Sequence, residues 1–350
     1  MTKEESRSLV SAPEYDFLHT DPHLGSRIMF LTLGGSHAYG TNVEGSDVDV
    51  RGVTLNSPQE LLGLGHFEQF LNNETDTTVY AFNKYISLIC NCNPNTIEML
   101  GGEPEHYLMV SPEGQMLLDN KSLFLSQRAV HSFGGYAQAQ LRRLQVPLAK
   151  ERVSPVQKGE YILATCNSAM RTLEDAHHIP HGLVRVKQSD ALSEDGEPVI
   201  AIFPDSGFAD FEKNGLELYN VAAYLGELRG IVKSYSSMGH HNKMALKRGD
   251  KKLNKHAMHL IRLYLMAFDI LEKGEINTYR KNDLPLLMGI RNGVYMQEDG
   301  TYRPEFFEMV SEMDARLKRD AKETSLPERP DMKKIEELVM EINRKALVMR

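Results

Sequence analysis

The stretch that most constrains this chain is residues 31–52, LTLGGSHAYGTNVEGSDVDVRG. An apolar run ends at Gly34-Gly35-Ser36, and the sequence then reaches Asp47-Val48-Asp49. The intervening residues suffice for the chain to turn and return as a neighbouring strand. We therefore expect the glycines and the two aspartates to lie close together.

The glycine stretch has the composition of a phosphate-binding turn. Backbone N–H groups and the Ser36 hydroxyl can donate to a phosphate, and Gly35 lets that phosphate approach closely. A P-loop is excluded because Thr41 stands where the motif requires lysine. A nucleophile elbow is excluded because Ala38 stands where the second glycine of Gly-x-Ser-x-Gly belongs.

The aspartate pair predicts a metal site. In a strand, Asp47 and Asp49 share one face while Val48 points to the other. Two carboxylates on one face repel each other unless cations lie between them. Mg²⁺ is the natural cation because it prefers oxygen ligands and is often shared with substrate phosphates, and Mn²⁺ is a possible substitute. A phosphate-binding turn beside paired aspartates is the apparatus of two-metal phosphoryl transfer.

Composition limits the class of protein. The chain has 350 residues, of which 41% are apolar and 25% charged, which is typical of a globular protein with a well-buried core. No apolar run approaches the roughly 18 residues of a membrane helix, and the N-terminus lacks the pattern of a signal peptide. Three cysteines are too few for a disulfide framework. We therefore expect a cytoplasmic protein without a membrane partner.

Charge is distributed unevenly along the chain, whose net charge is −8. Residues 1–120 contain seventeen Asp and Glu but five Lys and Arg. Residues 121–150 contain five basic residues and no acid, and residues 229–262 contain nine basic residues and one acid. This order suits a site where metal ions and polyphosphate lie between opposite charges, although solvated helix faces explain single basic residues equally well.

The periodicity predicts an α+β protein in which a small mixed sheet precedes a larger, mostly helical region. Strands are expected at 27–35 and 46–55, and 76–89 begins as a strand and becomes a helix. Residues 93–102 predict a helix capped by Asn93. We expect a core domain at 1–120 and a helical domain at 121–350, with an irregular insert or hairpin near 180–211 in which PVIAIF forms a strand. Later helices are predicted at 122–146, 156–178, 214–236, 253–273, 304–322 and 331–348.

An ordered set of sequence stretches resembles a known superfamily. Gly35-Ser36 followed by Asp47-x-Asp49 is similar to the signature of the DNA polymerase β-like nucleotidyltransferases. The wider set resembles the YcgL-type nucleotidyltransferases of bacteria and phages over roughly residues 28–295. The stretches are GSHAYGT, GSDVDVRG, DTTVYAFNKY, NPNTIEML, FGGYAQAQLRRL, NKHAMHLIRLYLMAFDIL and IRNG.

The resemblance implies a two-metal site with a third carboxylate. Asp47, Asp49 and Asp76 are then the catalytic and metal-binding residues, and Asp76 also activates the acceptor hydroxyl. Glu74 can replace Asp76 in a slightly shifted register. Two alternatives leave Asp76 without a catalytic role, as a helix N-cap or as a turn residue.

The predicted nucleotide-binding residues combine the glycine turn with basic positions. Arg51 can contact the triphosphate or only neutralise the aspartates. The helix around 253–273 places His256, His259 and Arg262 on one face. This face suits a polyphosphate or RNA surface better than a zinc site formed by its two histidines with His240 and His241. Tyr136, Gln140 and Arg143 form a second stripe that either lines the cleft or packs as an amphipathic face. The nucleotide-binding set is Gly35, Ser36, Arg51, Lys255, His259 and Arg262.

These features predict an Mg²⁺-dependent nucleotidyltransferase that transfers NMP from an NTP to a hydroxyl and releases pyrophosphate. RNA or another nucleic acid is the leading acceptor because basic helices follow the acidic core. Two alternatives stay open: an enzyme that AMPylates proteins, and a non-catalytic nucleotide-binding regulator. The base of the NTP and the oligomeric state are not encoded in any pattern of the sequence.

Overall fold

The computed structural model describes residues 8–150, 184–192, 198–204, 249–297 and 302–348. The chain divides into two compact units, one formed by residues 1–144 and 253–350 and the other by residues 145–252. The boundaries between these units lie after residues 144 and 252, whereas the sequence predicts one boundary after residue 120. The first unit is discontinuous in sequence and contains the sheet together with the C-terminal helices.

The core of the first unit is a five-stranded mixed sheet with strand order β3-β4-β2-β1-β5. β2 pairs in parallel with β4, and the other neighbours pair antiparallel. This sheet and the helical remainder confirm the predicted α+β class. The strands are β1 (Ile28–Leu33), β2 (Val50–Thr54), β3 (Gln69–Asn72), β4 (Thr77–Ala81) and β5 (Tyr107–Val110).

The central strands form because their apolar residues are buried on the expected faces. All six residues of β1 are buried, and Val50 and Val53 of β2 are fully buried. β2 begins later than the predicted strand at 46–55, so Asp47 and Asp49 precede it. The antiparallel hydrogen bonding still reaches Asp49, whose carbonyl accepts from the Gly34 N–H at 2.8 Å.

Short helices connect the strands of the first unit. As predicted, residues 76–89 start as a strand and continue as a helix, and Asn93 caps the next helix by accepting from the Asn95 N–H. The helices are α1 (Phe17–Thr20), α2 (Gly35–Tyr39), α3 (Pro58–Leu62), α4 (Phe82–Ile89), α5 (Pro94–Ile97) and α6 (Pro112–Asp119).

Longer helices follow the sheet. Three of the predicted segments, 253–273, 304–322 and 331–348, are helical, and the first ends in a π-helical turn at Asp269–Lys273. The predicted helices at 156–178 and 214–236 lie outside the described residues. The helices after the sheet are α7 (Arg128–Lys150), α8 (Gly249–Phe268), the shorter α9 (Leu284–Arg291), α10 (Pro304–Glu323) and α11 (Met332–Val348).

The second unit contains an antiparallel hairpin of β6 (Val184–Leu192) and β7 (Pro198–Pro204). This pair lies within the predicted insert at 180–211, and the segment PVIAIF forms a strand as expected.

Two smaller features complete the described fold. Cys90 and Cys92 are buried as free thiols, and burial raises the pKa of Cys90 to about 11. Among the described residues, no helix has both the length and the apolar character needed to cross a membrane.

Candidate active site

The glycine turn and the second aspartate lie in direct contact, as the sequence predicts. β1 ends at Leu33, and Gly35 opens α2 with a φ of +53°, in the region that favours glycine. A Cβ atom on Gly35 would lie 1.9 Å from Oδ2 of Asp49. Only glycine fits this position, because any side chain would displace the carboxylate.

Ser36 lies in the first turn of α2 and is buried. Its carbonyl accepts from the Thr41 N–H at 2.9 Å and so closes the end of this short helix. Among the described residues, the Ser36 hydroxyl has no hydrogen-bond partner within the distance limit of a hydrogen bond. The phosphate-binding role of Ser36 therefore stays a prediction that its position beside Gly35 allows.

Arg51 joins the two carboxylates that the parallel strands bring together. Its Nη2 lies 3.0 Å from Oδ1 of Asp49 and 3.2 Å from Oδ1 of Asp76. Its Nη1 donates to the Asp76 carbonyl at 2.6 Å. Because β2 and β4 are parallel, the residues preceding both strands meet at one edge of the sheet. We call Asp49, Arg51 and Asp76 the Arg51 cluster.

The two carboxylates of the Arg51 cluster titrate differently. Burial raises the pKa of Asp49 to about 6, helped by its hydrogen bond with Asp76 and opposed by Arg51. Burial also acts to raise the pKa of Asp76, but hydrogen bonds with Asp49 and Arg51 leave it below its ordinary value. The charge of Lys255 lowers the pKa of both aspartates. Lys255 is exposed, so α8 presents a cation toward the carboxylates.

Asp76 lies in the turn between β3 and β4, with a φ of +44°. Its side chain is 57% exposed, whereas that of Asp49 is 19% exposed. The N-cap of the following helix α4 is Ala81, so the interpretation of Asp76 as a helix cap is wrong. Glu74 is exposed in the same turn, and its N–H donates to the Asn72 side chain.

The carboxylate oxygens of Asp49 and Asp76 fit a hard divalent cation, because they are close enough to hydrogen-bond to each other and one is partly desolvated. Asp47 is exposed before β2. In the part of the chain that the structure describes, no three His, Cys, Asp or Glu residues form a group that could hold a metal ion. Among the described residues, the protein therefore brings two carboxylates together, those of Asp49 and Asp76, which is too few to enclose a metal ion without other ligands.

Arg262 is placed in a buried network. Its Nη1 lies 2.9 Å from Oε2 of Glu98, and Tyr39 donates to Oε1 of the same glutamate at 2.8 Å. The guanidinium also stacks 3.6 Å from the centre of the Tyr39 ring. The network connects α8 to the last residue of α2, so Arg262 holds the glycine turn in position. Its predicted contact with the nucleotide stays untested.

His259 lies against the same network. Its ring meets the Tyr39 ring edge-on, with centroids 6.0 Å apart. Burial, followed by the charges of Arg262 and Lys255, lowers the pKa of His259 to about 2. A neutral imidazole can offer a hydrogen bond to a nucleotide but no charge.

A known protein family matches the part of the chain that contains this site. The family model RlaP, described as the RNA repair pathway DNA polymerase beta family, matches residues 13–195, just over half of the chain. The chain belongs to this family. The matched range contains the glycine turn and the whole Arg51 cluster, and it confirms the expected membership of the polymerase β-like nucleotidyltransferase superfamily. A search of curated proteins gave no significant match.

Outside the Arg51 cluster, α7 and α8 contact each other through polar side chains. Nδ1 of His256 lies 3.0 Å from Oε1 of Gln140. The Asn93 side-chain amide donates to the Tyr136 hydroxyl at 3.4 Å. The polar stripe predicted on α7 thus faces neighbouring elements at Tyr136 and Gln140, whereas the Arg143 side chain lies outside the described part. The zinc alternative also required His240 and His241, which lie outside the described residues.

Residues 276–280 support the glycine turn, and the sequence did not predict this role. The Arg280 N–H donates to the Tyr39 carbonyl at 3.2 Å, and the Thr278 N–H donates to Gly101. A Cβ on Gly40 would lie 2.4 Å from the Tyr279 ring, and Gly40 has a φ of +76°. The glycine at position 40 was the available signal, but nothing in its neighbourhood names a partner more than two hundred residues away.

Proposed function

We propose that this chain is a divalent-metal-dependent nucleotidyltransferase that transfers NMP from an NTP to a hydroxyl of RNA and releases pyrophosphate. The observation that carries the proposal is the meeting of Asp49 and Asp76 on Arg51, in contact with the glycine turn. Membership of a polymerase β-like family with a role in RNA repair supports both the reaction type and the acceptor.

In this proposal, Asp49 and Asp76 hold Mg²⁺ or Mn²⁺, and Asp47 together with substrate phosphates completes the ligand set of two ions. The ions, when bound, neutralise charge on the phosphates and favour attack by the acceptor oxygen. Asp76 is the more exposed carboxylate and accepts the proton of the acceptor hydroxyl. Gly35 and Ser36 bind the β- and γ-phosphates through the turn that opens α2.

Basic residues have a separate task. Arg51 neutralises the carboxylates in the absence of metal and contacts the triphosphate once cations take its place. Lys255 is exposed on α8 and its charge already reaches both aspartates, so it is the best-placed described cation to bind phosphate. His259 and Arg262 act behind it, by fixing α8 against Tyr39. A cytoplasmic location remains a prediction from the sequence.

The test is transfer of label from each α-labelled NTP, with Mg²⁺, Mn²⁺ or EDTA, to mixed RNA or mixed protein. We expect RNA to be labelled, in a metal-dependent manner, and pyrophosphate to be released. Asp76→Asn should lower kcat strongly with little change in NTP affinity. Asp119→Asn, which changes an exposed aspartate at the end of α6, is the matched control.

Three results would contradict the proposal in different ways. Labelled protein with unlabelled RNA would identify an AMPylating enzyme. NTP binding without turnover in any metal would favour a nucleotide-binding regulator. Equal loss of activity in Asp76→Asn and Asp119→Asn would remove Asp76 from the chemistry.

A further inference from the structure

A groove beside α7 has no role in the reaction proposed above. It encloses about 680 Å³ and is open to solvent. We call it the α7 groove. Its lining includes Asn95, His131, Ser132, Gly135, Tyr136 and Gln140.

The α7 groove presents one aromatic ring with free space next to it. Tyr136 is 36% exposed, so part of its ring is open to solvent. Apart from its chain neighbours and the backbone of α7, no atom of the described residues lies within 4 Å of the place where a Cβ on the adjacent Gly135 would be. A flat ring can therefore approach the tyrosine without displacing a side chain.

The polar groups around this ring include side-chain amides and an imidazole, which are suited to the edges of nucleobases. The Asn93 amide bonds to the Tyr136 hydroxyl and holds the tip of the ring. Asn95 is exposed, and its side-chain amide has both a donor and an acceptor. The exposed His131 adds a ring nitrogen on the same side.

Two connections link the α7 groove to the Arg51 cluster. On one side, Gln140 contacts His256, and the adjacent Lys255 reaches Asp49 and Asp76 electrostatically. On the other side, Thr78 pairs with Arg51 across the sheet, and Tyr80 follows on the same face of β4. Tyr136 is close enough to Tyr80 to affect its titration. Through Gln140 and His256, the α7 groove thus adjoins α8, the helix that carries Lys255.

Charge favours a nucleic acid over a peptide as occupant. The sequence of α7, residues 128–150, contains four basic residues and no acid, which favours a polyanion. Bases of single-stranded RNA bind proteins by stacking on exposed aromatic rings and by hydrogen bonds from their edges. The α7 groove provides both features on a helix that contacts α8.

We propose that the α7 groove binds an unpaired nucleobase of the acceptor RNA, stacked on Tyr136, close to the hydroxyl that receives the nucleotide. This inference rests on the proposed function, because it assumes that RNA is the acceptor. It makes Tyr136 a determinant of acceptor binding and leaves NTP binding to the glycine turn and Lys255.

The experiment measures binding of fluorescein-labelled single-stranded RNA to the full chain by anisotropy, without NTP. Tyr136→Ala should weaken binding roughly tenfold or more, because base stacking is lost. Tyr136→Phe keeps the ring and should stay within about twofold of the original chain. Leu71→Ala removes an exposed apolar side chain from β3, away from the α7 groove, and should leave binding unchanged.

NTP binding by the same variants separates the two proposals. Tyr136→Ala should bind NTP as the original chain does and have an unchanged thermal midpoint. If the original chain labels RNA but Tyr136→Ala binds RNA as tightly as Leu71→Ala, the inference is wrong and the proposed function stands. Equal losses in Tyr136→Phe and Tyr136→Ala would exclude stacking. Labelling of protein alone would overturn both proposals.

Discussion

Two clusters of charged side chains in the first unit have opposite character. In the Arg51 cluster, one arginine contacts two aspartates, and the pKa of Asp49 is raised to about 6 by burial. Asp269 instead contacts both Lys273, at 2.7 Å, and Arg280. Burial acts to raise the pKa of Asp269, but hydrogen bonds with Lys273 and Arg280 bring it below its ordinary value.

The difference separates a binding site from a structural contact. Asp269 contacts two cations, of which Arg280 also pairs with Asp283, and its side chain is only 8% exposed. The Arg51 cluster has more carboxylates than contacting cations and opens to solvent through Asp76. A site that is short of positive charge and accessible attracts cations, whereas a neutralised and closed site contributes to folding.

The largest expected effect is on catalysis, from Asp49→Asn. Loss of a metal ligand should lower nucleotide transfer by about a thousandfold or more, since bound metal contributes several kcal/mol to such reactions. The thermal midpoint in EDTA should stay the same or rise, because the variant removes a partly desolvated carboxylate. Calorimetry in EDTA and a labelled-NTP assay measure the two effects. A clear loss of metal-free stability with retained transfer would assign Asp49 a structural role.

The opposite result is expected for Asp269→Asn. Removing one partner of a buried ion pair should lower the free energy of unfolding by about 3 kcal/mol, measured by urea denaturation. The matched control is Lys273→Ala, whose exposed ammonium should contribute less than about 1 kcal/mol. Transfer activity per folded molecule should be retained. A stable Asp269→Asn variant would show that the two clusters do not differ in the way described.

The pH dependence of stability should also differ between the original chain and Asp269→Asn. Because the pKa of Asp269 is lower in the folded state than in the unfolded one, its contribution is fully present above the unfolded value, about 3.9. The contribution is lost as pH falls through the lower folded pKa. The stability difference between the original chain and Asp269→Asn should therefore be constant at neutral pH and shrink in acid. A difference that grows on acidification would reverse the sign and refute the assignment.

The smallest effect is expected from Glu74→Gln. Glu74 lies two residues before Asp76. Arg51 forms ion pairs with Asp49 and Asp76 but not with Glu74. We expect transfer within about twofold of the original chain, against a strong fall in kcat for Asp76→Asn. Steady-state kinetics of both variants at saturating NTP decide the point. A larger loss from Glu74→Gln would shift the third carboxylate by two residues.

The local part of the site was predictable from the sequence because it depends on near neighbours. Gly35 and Asp49 are separated only by the short helix α2 and the loop after it, so the buried pattern of β1 and β2 was enough to bring them together. The start of β2 at Val50 was not predicted, because Asp47-Val48-Asp49 keeps the alternation of a strand while lying outside it. Arg51 was predicted with two roles, and its contacts with both aspartates favour neutralisation in the absence of metal.

The distant part could not be predicted in this way. Periodicity marks Arg262 as a member of a helix face, but it does not name Glu98 as the partner in a buried ion pair. The contact of Tyr279 with Gly40 is similar, because a glycine permits close approach without indicating what approaches. Such pairings depend on how the elements pack, which a single sequence does not encode locally.

The discontinuous first unit has a consequence for how the protein is made. Glu98 leaves the ribosome 164 residues before its partner Arg262. At about 5–20 residues per second, this delay lasts on the order of ten to thirty seconds. During that interval the nascent sheet has neither the cation that neutralises Glu98 nor Lys255 beside its aspartates. The N-terminal segment released alone should therefore be poorly ordered around α2, and the capacity for nucleotide transfer should arise late in synthesis.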